Sequence, residues 1–118
     1  MKPIEFVIKG ETPSKKNKWH ISRNGGMYLD KSVKEWNDEA AWRLKPMVRE
    51  FGMLTQNLAI TCKFQIKRDK DLDNMLSSIF DVLQYIGLIK NDKQFSKVFA
   101  EKLIDKEKQC ALVSIRSL

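Results

Sequence analysis

Asp71-Leu72-Asp73-Asn74 is the segment of this chain whose residue types and spacing are best suited to chemistry. It lies between a strand-like run and a helix-like run. Two carboxylates at i and i+2 on a strand-to-helix turn can point into one small volume. A third acid, Asp92, follows just past the helix-like run. Three such groups would make an oxygen-rich pocket of the kind hard cations take. Mg²⁺ in particular binds through one or two carboxylates plus substrate phosphates, and Mn²⁺ fits the same donors. The chain carries 22 Lys and Arg against 15 Asp and Glu, a net charge of +7. An acidic pocket in a basic protein is the charge layout expected of an enzyme that cuts a phosphate backbone.

The bland readings of these acids are a solvated loop carboxylate for Asp71 and a helix N-cap for Asp73. Asp69, Asp71 and Asp73 also occupy positions 1, 3 and 5 of a calcium loop. That reading fails at position 6, which is Asn74, and at position 12, which is Phe80. Asp92 poses a question of reach. A helix of about 13 residues is roughly 20 Å long, and about five extended loop residues span some 17 Å. Either the loop folds back along the helix, or Asp92 serves the site of a second subunit.

The elements that position these residues follow from periodicity. Residues 3–11 alternate Ile4, Phe6 and Ile8 with polar neighbours and read as a strand. A long loop rich in proline, glycine and asparagine follows, with a hairpin signal at Asn24-Gly25. Ser32 with Glu35 forms a capping-box pattern that starts a helix near residue 33, and Pro46 is expected to kink or end it. Residues 57–67 alternate Leu58, Ile60, Cys62, Phe64 and Ile66 with Thr61, Lys63, Gln65 and Lys67, a strand with one buried and one basic face. A helix spans 74–86, with Gly87 as its C-terminal cap. Residues 94–104 and 109–116 read as strands joined by Asp105-Lys106-Glu107-Lys108, hence a hairpin. The expected fold is therefore one α+β domain over residues 1–118. Its order is β-α-β-α-β-β, with two helices on one face of a four-stranded mixed sheet.

Basic residues surround the acids. Lys15, Lys16, Lys18, His20 and Arg23 lie on the long loop, with Trp19 available to stack on a base. Lys63, Lys67, Arg68 and Lys70 lie next to Asp71. The loop group reads as phosphate contacts or as a solvated surface, and the second group reads as holding the phosphate backbone while the metal works. A pI of about 9.5 favours a polyanionic partner, and binding through phosphates should weaken steeply with salt. The single histidine excludes His-based zinc sites and His-dependent triads. Trp36 and Trp42 are expected to be core or dimer contacts. The two cysteines, Cys62 and Cys110, read as buried hydrophobes of a reducing compartment. There is no signal-peptide pattern and no apolar run long enough to span a membrane, so a cytoplasmic location is expected.

These motifs resemble the RusA-type Holliday junction resolvases, a bacterial and prophage family of crossover junction endodeoxyribonucleases. The resemblance runs through Pro13-Ser14-Lys15-Lys16-Asn17, Asp71-Leu72-Asp73-Asn74 and Phe80-Asp81-Val82-Leu83. It continues through Gly87 and Asn91-Asp92-Lys93-Gln94 to the two closing strands. It implies a homodimer that binds four-way DNA junctions and cuts them symmetrically with Mg²⁺, in recombination and repair. It implies catalytic and metal-binding roles for Asp71, Asp73 and Asp92. Two positions depart from the family pattern. Ser77 stands where the family carries a lysine, and Asn91 stands where it carries the first acid of an Asp-Asp pair. The alternative is thus a catalytically impaired module that binds junction DNA. A small RNA-binding protein is a third reading, favoured by charge and disfavoured by the acids.

Overall fold

The computed structural model describes residues 1–14 and 19–118; for Trp19, His20 and Leu29 it describes the backbone alone. Lys15, Lys16 and Lys18 lie outside the described residues. The elements are β1 (Ile4–Lys9), β2 (Trp19–Ile21), β3 (Met27–Leu29), α1 (Lys31–Phe51), β4 (Leu58–Ile66), α2 (Leu72–Ile86), β5 (Phe95–Ile104) and β6 (Cys110–Ser117). A short 3-10 helix, Asp92–Gln94, precedes β5. β1, β6, β4 and β5 form a four-stranded mixed sheet in that order, while β2 and β3 form a separate hairpin. The expected sheet of four strands with two helices is present.

β4 is central because its alternation serves both sides. Leu58, Ile60, Cys62, Phe64 and Ile66 are buried in one cluster with Trp36, Ala40, Ala41 and Leu44 of α1 and with Met75, Ile79, Val82 and Leu83 of α2. Each such aliphatic side chain contributes about 1.5–3 kcal/mol on burial. Lys63 on the opposite face is exposed, as are Val7 and Leu112 beside it. The register Gln65↔Cys110 puts Cys110 on that open face, whereas Cys62 faces the core. The two thiols are free, and burial pushes the pKa of the Cys62 thiol up to about 12.

β5 runs parallel to β4, and β6 runs antiparallel to it on the other side. The hairpin expected between residues 94–104 and 109–116 does not form, because β4 lies between β5 and β6. The core-facing Ala111, Val113 and Ile115 of β6 are all nearly fully buried. That burial requires an interior strand, flanked by β1 and β4, rather than an edge. The turn that carries the chain across is built on Asp105, whose Oδ1 accepts from the N–H groups of Glu107 and Lys108, both at 3.0 Å.

Two expectations for α1 are also corrected. Its N-cap is Asp30 rather than Ser32, and the Ser32 hydroxyl instead donates to Asp30 Oδ2. Pro46 does not end it, for the helix continues to Phe51. An interior proline costs about 3 kcal/mol, and here Leu44, Met47 and Val48 on the surrounding turns hold the helix against the core. The Asn24-Gly25 turn closes the β2–β3 hairpin: Ser22 N donates to Gly26 O at 2.7 Å and Gly25 N to Ser22 O at 3.0 Å.

Candidate active site at the β4–α2 turn

β4, α2 and β5 form a parallel crossover unit, so the C-terminal end of β4 meets the N-terminus of α2. Ligands in open α/β units gather at such carboxyl ends. α2 begins two residues earlier than expected, which makes Asp71 the N-cap and Asp73 a first-turn residue. The Asp71 carboxylate makes no cap hydrogen bond. It accepts instead from Asn74 Nδ2 at 3.4 Å, while Asp73 Oδ1 accepts from Asn74 N at 2.9 Å. Asn74 therefore touches both acids. Both are exposed and neither makes an ion pair among the described residues. The helix N-terminus favours negative charge there.

Asp69 is different. Lys102 Nζ lies 2.7 Å from its Oδ1 and also donates to Lys70 O at 3.0 Å. The Lys102 hydrogen bond and charge hold the Asp69 carboxyl below its ordinary range. This acid is spent on fixing the loop.

A second clamp comes from the opposite side of the chain. Lys70 Nζ sits 2.6 Å from Glu11 Oε1 and donates to Thr12 O at 3.1 Å. Lys67 N donates to Glu11 Oε2 at 3.1 Å. Burial pushes the Glu11 carboxyl upward, but the Lys70 hydrogen bond, the Lys67 N–H and the charges of Lys70 and Arg68 outweigh it and hold it below its ordinary range. Buried Ser78 of α2 donates to Pro13 O at 2.7 Å. Residues 11–13 are thus fixed to the β4–α2 turn and to the first half of α2. Lys67 and Arg68 are exposed at this turn, and Arg23 is exposed in the β2–β3 turn. Lys63 pairs with Glu101 on the open sheet face at 3.6 Å. Sequence patterns mark neither Glu11 nor Ser78, since each acts across more than 50 residues and leaves no local signal.

Asp92 lies elsewhere. Its N–H donates to Gln84 Oε1 at 2.8 Å, which ties it to the last turn of α2. Gln84 is eleven residues beyond Asp73, about 16 Å along the helix. The loop does not fold back. Asn91 caps the 3-10 helix by accepting from Lys93 N at 2.8 Å, and Gln94 Oε1 accepts from the N–H groups of Lys90 and Asn91. Gln94 Nε2 in turn donates to Leu54 O and Gln56 O. Phe80 stacks on Phe95 with centroids 5.2 Å apart. Asp92 is thereby presented on a rigid mount as an exposed residue. One chain therefore unites Asp71 with Asp73 and keeps Asp92 apart, and no cluster of three metal-binding side chains occurs among the described residues. Ser77 lies one turn beyond Asp73, exposed, with its hydroxyl donating to Asp73 O at 3.1 Å. No helix among the described residues is long and apolar enough to cross a membrane.

Comparison with known proteins shows the family of the chain. The family model described as Endodeoxyribonuclease RusA matches residues 10–116, from the clamp at Glu11 through β6, and the chain belongs to that family. A curated relative, the crossover junction endodeoxyribonuclease RusA of Aquifex aeolicus (strain VF5), is 29% identical over 117 residues, covering 98% of this chain and 93% of the relative.

Proposed function

We propose that the protein is a Mg²⁺-dependent endonuclease that resolves four-way DNA junctions by paired, symmetric nicks. The observation that carries this reading is a pair of carboxylates, Asp71 and Asp73, without an ion pair among the described residues. They sit on a turn clamped at both sides and flanked by exposed cations. The family membership and the name of the Aquifex relative support the substrate class.

The donor set fits a hard divalent cation. Asp71 is not consumed by helix capping, and two exposed carboxylates leave the remaining positions to water and phosphate. Such an ion, Mg²⁺ or Mn²⁺, supplies polarisation of the scissile phosphate and a more acidic water. Asp71 and Asp73 hold and orient it, and Asn74 fixes both carboxylates. Lys67 and Arg68, together with Lys15, Lys16, Lys18 and Arg23, draw in the phosphate backbone and set its position. Lys70 positions rather than binds, because its ammonium is turned onto Glu11. Asp92 acts in the site of the partner subunit, since its own site is a helix length away. A dimer suits the substrate, because a four-way junction is nearly two-fold symmetric and two sites make paired nicks.

Incubation of a synthetic four-way junction with Mg²⁺, Mn²⁺ or EDTA tests the reading. Metal-dependent paired nicks are expected, and Asp73→Asn should reduce them at least ~100-fold, about 2.7 kcal/mol of transition-state stabilisation, while junction binding persists. Cutting that survives EDTA, or Asp73→Asn, would sink the assignment. One observation favours the second reading, a junction-binding module that cuts poorly: Ser77 presents a hydroxyl bound to the helix backbone where a lysine would present a cation. That reading expects tight junction binding without nicks in either metal.

A further inference from the structure

The Gln94 carboxamide makes four hydrogen bonds, and all of them go to backbone. Its oxygen accepts from Lys90 N at 2.8 Å and Asn91 N at 3.0 Å. Its nitrogen donates to Leu54 O at 2.8 Å and Gln56 O at 3.1 Å. A primary amide has two donor hydrogens and two acceptor lone pairs, so this group is fully satisfied. Glutamate could accept but not donate, and lysine or arginine could donate but not accept. Asparagine carries the same group on a shorter arm.

This joint connects the turn that carries Asp92 to the lead-in of β4. Before the turn, Leu88 and Ile89 are buried, Leu54 N donates to Leu88 O at 2.8 Å, and Leu54 bridges Ile89 in parallel. After it, Phe95 stacks on Phe80. The core thus anchors the chain on both sides of residues 90–94, and closing the turn needs little more. Six bonds between side chains and backbone are nevertheless concentrated there: four from Gln94, one from Gln84 to Asp92 N and one from Asn91 to Lys93 N. The acid at the centre of them, Asp92, is exposed. An exposed acid needs no such support for stability, whereas a carboxylate that holds a metal must be placed within about 0.5 Å.

We infer that Gln94 and Gln84 are positioning residues for junction cutting that act through Asp92. Gln84 holds the Asp92 backbone from α2, Gln94 holds its turn from the lead-in of β4, and together they set where the carboxylate stands. The inference rests on the resolvase reading, in which Asp92 is a metal ligand, and it is the same whichever subunit's site Asp92 serves.

The test turns on one kind of substitution having opposite effects at the two positions. Gln84 gives Asp92 N an acceptor, so Gln84→Glu keeps the bond and Gln84→Met removes it. Gln94→Glu keeps the bonds from Lys90 and Asn91 but turns a carboxylate onto the Leu54 and Gln56 carbonyls. On a synthetic four-way junction in Mg²⁺, Gln84→Met and Gln94→Glu should lower kcat at least ~10-fold with KM within ~2-fold of wild type. Gln84→Glu should stay within ~3-fold of wild type in both. Amide exchange at Asp92 should speed up in Gln84→Met and not in Gln84→Glu, a readout independent of cutting. Urea denaturation selects conditions in which each variant is folded, and the two Gln84 variants decide the matter if Gln94→Glu does not fold. Unchanged kcat in Gln84→Met, a loss confined to KM, or a Gln84→Glu protein as impaired as Gln84→Met would overturn the inference. A wild type that never cuts sinks the resolvase reading and this role together. A wild type that cuts, beside variants that cut equally well, sinks this role alone.

Discussion

In the proposed reading, Ser77 and Asp73 decide what the site can do. They are one turn apart on the same exposed face, and the Ser77 hydroxyl is held by the Asp73 carbonyl rather than directed outward. Ser77→Lys would set an ammonium beside the pair of carboxylates at no cost in burial. We expect it to raise the single-turnover rate of junction cutting about tenfold, equivalent to ~1.4 kcal/mol of transition-state stabilisation. An unchanged rate would mean that Lys67 or Arg68 already fills that role. The pairing of types at Asp71 and Asp73 was visible in the sequence. What the sequence hid was that Asp69, two residues away and chemically identical, is neutralised by Lys102 from a strand 33 positions later. Only the fold distinguishes a carboxylate held by a lysine from those without an ion pair among the described residues.

At the scale of elements, α2 and β4 were readable because each carries its own periodicity, and Gly87 ends α2 with the left-handed turn expected of it (φ 82°). The order of β5 and β6 was not readable. A four-residue polar turn suits a hairpin, and neither strand's own pattern shows that β4 will come between them. The far position of Asp92 was one of two open alternatives, and the side chain of Gln84 settles it by taking the Asp92 N–H. The clamp on the β4–α2 turn carries a prediction of its own. Glu11 titrates below its ordinary range in the folded chain, so its stabilising effect is present above the ordinary carboxyl range and is lost as pH falls through the depressed value. Lys70→Met should therefore cost about 1–2 kcal/mol at neutral pH. The gap from wild type should close in acid. Urea denaturation at neutral pH and again below the ordinary carboxyl range measures both; an equal loss under the two conditions would count against the ion pair.

The whole molecule places its acids at opposite ends of α2, and two copies are needed to reunite them in the reading advanced above. Mixing Asp73→Asn with Asp92→Asn proteins measures this directly. If the sites are shared, each mixed dimer keeps one site with every acid intact, so about one quarter of all sites should recover. Recovery should appear as single-strand nicks, because only one site of a mixed dimer works. Absence of any recovery would count against sharing of Asp92 between subunits.

β6 has one more consequence. It is the final strand, yet among the described residues it is the only neighbour of β1 and the second neighbour of β4. Register pairs Ile4 with Ile115. While the ribosome is still translating β6, β1 has no partner in the sheet, which is split in two. Assembly of the sheet therefore waits until β6 has been made, and a growing chain that already carries β1, β4 and β5 still lacks the strand that joins them.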